Sequence, residues 1–251
     1  MNSKNKSPKL RTVNKSIAAF PLNNFPVDFP FILGKELIYL LASKGKPELE
    51  GSEWESIFAK SIGAEWKPSN VGLDDVVKGN TAWGAKTVKS SNPANQKKVR
   101  LISGRNSPIY SFGQNIDITS EPNTIGSFVL DIWNERVSSI REKFKHLRTV
   151  VLIKSNDLSE VVVFEYDTVR YDNELFYWEW NIHNNLIGRD LKTDDHKFTW
   201  QPHGSQFTII EEVPNKNLVI RIKQPPVLNK ENVLKSIGFE ESWITVIQKN
   251  G

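Results

Sequence analysis

Two acids and two lysines sit where they could do chemistry together. The stretch Leu73–Lys89 (LDDVVKGNTAWGAKTVK) carries Asp74 and Asp75 before a Gly79–Asn80 turn, and Lys86 and Lys89 after it. Gly-Asn between two apolar runs is a hairpin signal. Alternation along a strand lets one acid and one lysine share a face, and partners on neighbouring strands lie about 5 Å apart. A carboxylate there can hold a hard cation such as Mg²⁺. A lysine beside it can orient or deprotonate a water, while the cation neutralises charge developing on a phosphate. The same residues could instead form a structural salt bridge between strands.

The elements around the hairpin must position it. Residues 20–31, with Pro21, Pro26 and Pro30, read as extended and irregular. Helices are expected at 34–43 and 52–62, the second opened by a Ser52/Glu55 capping box with Trp54, Ile57, Phe58 and Ile62 on one face. Strands follow at 71–78, 81–89 and 98–103. A long helix at 127–147 carries the stripe Val129, Trp133, Val137, Ile140 and Phe144. The run 148–154 (RTVVLIK) is apolar enough for a strand buried on both faces. The order is α, β, β, β, α, β. Beyond it come strands at 160–166, 175–181, 197–201, 205–212 and 218–223, then a helix at 230–237. The fold class is therefore α/β (α+β), one domain with a β-rich C-terminal extension.

Composition narrows the chemistry. The 251 residues contain no cysteine, which excludes disulfides, thiolate-held zinc, iron–sulfur clusters and a thiol nucleophile. The four histidines show no zinc-ligand spacing. A metal would be a hard cation on carboxylates. The net charge is +4, but Lys4, Lys6, Lys9, Arg11 and Lys15 contribute +5 without an acid, so the other 236 residues carry 4 − 5 = −1. Residues 1–18 are expected to be a basic, disordered tail and 19–251 the domain. No apolar run of about 18 residues is present and no signal-peptide core opens the chain, so a cytoplasmic protein without a membrane contact is expected.

The phrases GLDDVVKGNTAWGAKTVK, VRLISGRNSPIYSFG, WNERVSSIREKFKHLRTVVLIKS and FTWQPHGSQFTII, in this element order, resemble a type II restriction endonuclease of the PD-(D/E)XK nuclease superfamily over about residues 30–225. The resemblance implies a mixed-sheet αβββαβ catalytic core at about 50–155 and a DNA-recognition extension at about 156–251. It implies Mg²⁺-dependent hydrolysis of double-stranded DNA, leaving 5′-phosphate and 3′-hydroxyl ends. It also implies a cognate DNA methyltransferase, and leaves monomer and homodimer open. The metal-binding Asp maps onto Asp75, with Asp74 as the alternative, and the lysine onto Lys86, with Lys89 as the alternative. The family's acid two residues before the lysine is absent: Gly84 stands there for Lys86 and Thr87 for Lys89. Similar enzymes recruit the missing acid from a helix, which points to Glu135 in WNER or to Glu55.

For DNA contacts, Arg105 in GRNSP can fork onto guanine or phosphate and Asn106 can pair with adenine. In WQPHGSQ, Gln201, His203, Ser205 and Gln206 form a polar set suited to base edges, and Lys89 could meet a phosphate. Each segment could equally be a tight turn. Trp178 and Trp180 read as core or as a stacking platform. The competing functions are a non-catalytic nucleic-acid-binding protein, in which Asp75 and Lys86 are a structural pair, and a carbohydrate-active β-protein, suggested by eight Trp.

Overall fold

The structure is a computed structural model that describes residues 16–67, 72–113 and 120–247. The basic segment 1–15 lies outside the described residues, as does Val71 at the head of an expected strand. Ser16, assigned by sequence to the tail, is bound to the fold: Asn80 donates to Ser16 Oγ at 3.1 Å and His146 Nε2 lies 3.1 Å from Ser16 O.

Among the described residues, five helices and two sheets make a mixed α+β fold. The chain runs α1 (Phe29–Lys44), α2 (Gly51–Ile62), β1 (Glu65–Trp66), β2 (Val76–Lys78), β3 (Thr81–Lys89), β4 (Lys98–Arg105), α3 (Pro108–Phe112) and α4 (Pro122–Lys143). It continues through β5 (His146–Lys154), β6 (Glu160–Asp167), β7 (Phe176–Trp180), β8 (Leu186–Asp190), β9 (His196–Gln201), β10 (Gln206–Glu212), β11 (Leu218–Arg221) and α5 (Lys230–Ser236). No helix among the described residues is long and apolar enough to cross a membrane.

The first sheet has the order β1-β2-β3-β5-β6-β11. β1, β2 and β3 form an antiparallel meander, and β5 lies parallel to β3 in register from Thr81/His146 to Lys89/Lys154. A parallel neighbour needs a long crossover, and α4 supplies it. The second sheet, β4-β10-β9-β8-β7, is wholly antiparallel. The strand expected third in the core, β4, therefore pairs elsewhere. Its exposure alternates along its length, whereas β5 is buried almost throughout. A strand with one wet face belongs to the sheet that has one. Its dry face, Val99 and Leu101, packs on Val151, Ile153 and Phe164 across the gap between the sheets.

The first sheet is covered on one face by α1 and α2, whose Phe29, Leu33, Leu37, Trp54 and Phe58 enclose Trp83, Ala85, Val150 and Leu152. Opposite, α4 lies between the two sheets, with Val129, Trp133, Val137 and Ile140 meeting Ala82, Phe198, Trp200 and Phe207. Trp178 belongs to this core and is not a stacking platform. Its indole lies where a Cβ on Gly126 would fall, so α4 approaches β7 only through that glycine. Trp180 is half-buried and its Nε1 donates to Ser120 O at 3.1 Å.

Two boundaries differ from expectation because proline serves a helix start. Pro30 occupies the first turn of α1, and Pro122 that of α4 behind Glu121, whose carboxylate accepts the Asn123 and Thr124 amides. A proline there forfeits no helical hydrogen bond.

Candidate active site

The β2–β3 hairpin opens into a fork. Pairing ends at Val76 opposite Trp83, and from Ala85 onward β3 has β5 on one side and no described strand on the other. Asp75 sits in the fork. Its Oδ2 accepts the Ala85 amide at 3.3 Å, satisfying an edge N–H that has left its strand partner. Asp75 is 3% exposed. Burial raises its pKa to about 6. The charges of Glu55 and Asp74 push the same way, and Lys86 and the Ala85 N–H push back.

Lys86 reaches the fork along β3. Trp83 and Ala85 face the α1/α2 core while Ala82 and Val88 face the other way, and alternation puts Lys86 with the second pair. Its Nζ donates to Gly72 O at 3.4 Å. Burial lowers its pKa; Asp75 and Glu55 oppose this and the Arg136 charge adds to it. Lys89 lies on the opposite face, exposed, where its charge acts on Glu48 and Lys154 and not on Asp75.

Gly84 explains the acid that the sequence lacks. A Cβ there would stand 2.8 Å from Gly72 O and 3.2 Å from Leu73 Cα. Both are backbone atoms that no rotamer change can move. The chain entering the fork occupies the space a carboxylate side chain would need.

Glu55 is the carboxylate outside the hairpin whose charge acts on the fork. The expected Ser52/Glu55 capping box does not form. Glu53 takes that role, its Oε2 accepting the Glu50 amide at 2.8 Å. Glu55 is half-buried on α2, and its Oε2 accepts the Trp66 indole N–H at 3.1 Å. Its charge acts on both Asp75 and Lys86. Asp74 is close enough to act on Asp75, and its Oδ1 is buried with no hydrogen-bond partner among the described residues. Glu135 is exposed on α4, lining a groove with Phe112 of α3, and is not among the charges acting on Asp75 or Lys86.

The next residue, Arg136, is the one the sequence did not single out. It lies three residues beyond Trp133, on the flank of the buried stripe, and that spacing was the available signal. Its Nη1 donates to Ser103 O at 2.9 Å and to Asn106 Oδ1 at 3.2 Å. Its charge acts on Lys86.

Asn106 is a correction. It is fully buried, its Nδ2 donating to Val129 O at 2.9 Å and its Oδ1 accepting from Arg136, so its side chain cannot reach a base edge. Its backbone ties two loops together: its N–H meets Ser205 O at 2.8 Å and its carbonyl accepts the Trp200 indole at 2.7 Å. The GRNSP and WQPHGSQ segments therefore abut. Arg105 pairs with Gln206 across β4 and β10, and Gln206 with Gln201 across β10 and β9, giving one polar row over three strands. Arg105 and His203 are exposed; Gln201, Ser205 and Gln206 are half-buried.

Among the described residues, no three His, Asp or Glu side chains converge as a ligand set for a metal. The donors that fit a hard cation are two, Asp75 and Glu55. Their mutual repulsion in a buried site and the orphaned Asp74 oxygen are the features a cation would relieve. Comparison with protein-family models, curated proteins and solved structures gives no match.

Proposed function

We propose that this chain is a Mg²⁺-dependent endonuclease of the PD-(D/E)XK type acting on double-stranded DNA, as in restriction systems. The observation that carries this is the buried Asp75 in the β2–β3 fork, its carboxylate on the Ala85 amide, with Glu55 and Lys86 within electrostatic reach of it. The order α2, β1–β2–β3, α4, β5, with β5 parallel to β3, supports an αβββαβ core in which β4 has left for the second sheet. Asp75 and Glu55 would hold the cation, which supplies charge neutralisation at the phosphodiester and a more acidic water when bound. Lys86, its pKa lowered by burial, orients the attacking water and takes its proton. The row Arg105–Gln206–Gln201, with His203 beside it, offers donors and acceptors to DNA, so the second sheet serves as the recognition extension.

Plasmid DNA incubated with and without Mg²⁺ tests the proposal. Discrete fragments with Mg²⁺, lost in Lys86→Ala while DNA binding remains, support it. No cleavage in any divalent cation across varied DNA refutes it. The alternative, a non-catalytic nucleic-acid-binding protein, is favoured by the blocked position at Gly84, and DNA retention without cleavage would select it.

A further inference from the structure

We propose that the stretch after β11, residues 223–247, is an arm that docks on α1 of a second copy of this chain, so that two chains exchange arms in a two-fold dimer. The inference stands apart from the endonuclease reading and does not need it.

The arm is apolar and wet. None of residues 223–247 is buried. Val233, Ile237, Trp243, Ile244, Val246 and Ile247 are all exposed, the last two to 79%. A flexible linker is poor in such residues. This stretch is instead ordered by its own contacts. Asn229 Oδ1 caps α5 by accepting the Asn232 amide at 3.0 Å, the Phe239 amide donates to Leu234 O at 2.9 Å, and the Phe239 and Trp243 rings meet edge to face at 5.7 Å. The root is tied to the body: the Leu228 amide donates to Ala42 O at 2.9 Å, and Val227 lies against Gly45 behind α1. Beyond Leu228, the arm's hydrogen bonds among the described residues are all internal. A segment that holds a shape while keeping so many large apolar side chains in water marks an interaction surface.

The matching surface is on α1. Phe31, Lys35, Ile38 and Tyr39 fall at i, i+4, i+7 and i+8, one face of the helix, turned away from the buried Leu33, Leu37 and Leu40. All four are exposed, Phe31 to 73% and Tyr39 to 67%. The arm is rooted at the end of this same helix and leaves its face uncovered, so arm and stripe are wet together in one chain. A second copy carries both surfaces, and a two-fold pairing lays each arm on the other chain's stripe and covers both at once. A foreign partner would have to match two separate surfaces. The charges agree with this pairing: Lys35 in the stripe has no ion pair among the described residues, and neither do Glu240 and Glu241 beside Trp243. The size agrees too. Residues 223–247 amount to one side of a stable interface, about 20–30 residues, and an exchange uses the arm twice.

The test is sedimentation velocity of the full chain across a concentration series, which should show a species of twice 28.7 kDa. Trp243→Asp on the arm and Phe31→Asp on the stripe, both at exposed positions, should each weaken the dimer about 30-fold or more. Mixed together, these two variants should associate better than either alone, because one arm–stripe contact in the mixed pair is intact. Tyr39→Cys with Trp243→Cys, in a chain that has no cysteine of its own, should cross-link between chains. Thermal melting at high dilution checks folding. Lys35→Glu, rescued by Glu240→Lys with Glu241→Lys, carries the test if Phe31→Asp melts early. A chain that is monomeric at every concentration overturns the inference. So does a dimer that both Asp variants leave unchanged, or a cysteine pair that closes within one chain.

Discussion

Asp75→Asn should make the metal-free protein more stable at neutral pH, and by an amount that depends on pH. The carboxyl of Asp75 moves from an ordinary value of 3.8 to about 6 on folding, chiefly through burial. The rise of about 2.2 pH units, at about 1.36 kcal/mol each, is about 3 kcal/mol. The folded state binds the proton more tightly, so the ionised carboxylate is a penalty. The penalty is fully present above about pH 6. It shrinks as pH falls from 6 towards 3.8 and is gone below that, where both states are protonated. Asparagine removes the charge and can still accept the Ala85 amide. Lys86 then loses a counter-charge, which returns part of the gain and leaves a net stabilisation of about 1–2 kcal/mol. For a chain of this size that is about 3–6 °C in Tm.

The assay is thermal or urea unfolding of wild type and Asp75→Asn in EDTA, from pH 4 to pH 8. The variant's advantage should be largest at pH 7–8 and close to zero at pH 4. Mg²⁺ should raise the wild-type Tm at pH 8 and leave the variant unmoved, since binding to the folded state alone stabilises it by mass action. A variant less stable than wild type at pH 8 would refute the argument, because the buried charge would then be a net asset. So would an advantage that grows towards acid pH.

Three other substitutions check the geometry. Gly84→Asp puts an acid two residues before Lys86 but forces a Cβ within 2.8 Å of Gly72 O, and it should cost about 2–4 kcal/mol in urea unfolding without improving cleavage. Glu55→Gln should lose the Mg²⁺ response and most cleavage, whereas Glu135→Ala, exposed on α4, should stay within about 0.5 kcal/mol in stability and keep its turnover. The reverse pattern would move the second carboxylate to α4. Asn106→Ala should destabilise by about 2–4 kcal/mol, because it removes a buried side chain bonded to both Val129 O and Arg136, and lower the melting point before it changes sequence preference.

What could be read from the chain follows the range of the forces involved. β3 and the Gly79–Asn80 turn are local, and their extents match expectation. α2 and β5 lie within two residues of it because their apolar patterns are strong. The partition of strands between sheets is set by long-range pairing. β4 was placed in the core by its position in the order, although its alternating exposure marks a strand with one wet face. β1 is two residues long, and β8 (LIGRD) is short and holds a glycine on which the Trp178 and Phe198 rings lie. Neither offers a periodic signal. At the candidate site, the hairpin alone narrowed the choice to one of Asp74 and Asp75 and one of Lys86 and Lys89. The choice of Lys86 over Lys89 is one of face, and alternation along β3 decides it only once the core is known. Arg136 was passed over and Asn106 misplaced for a common reason. A polar side chain near a core stripe gives no sequence sign of whether it points to solvent or is clamped inside.

The geometry gives a physical account of why the acid before Lys86 is missing and why the site can still assemble. In the fork, the chain entering through Gly72 and Leu73 and any side chain at position 84 compete for one volume, beside the Asp75 carboxylate on the Ala85 amide. Gly72 O accepts from Lys86 Nζ, so the entering chain cannot withdraw without unpairing the lysine. Position 84 must then be glycine, and a second carboxylate has to arrive from outside the hairpin. α2 packs against β3 through Trp54 and Phe58, and a helix on that face can deliver Glu55 to the fork. α4 lies on the other face and delivers a cation, Arg136, to Lys86. A carboxylate from one face of the sheet and a cation from the other thus act electrostatically on Lys86.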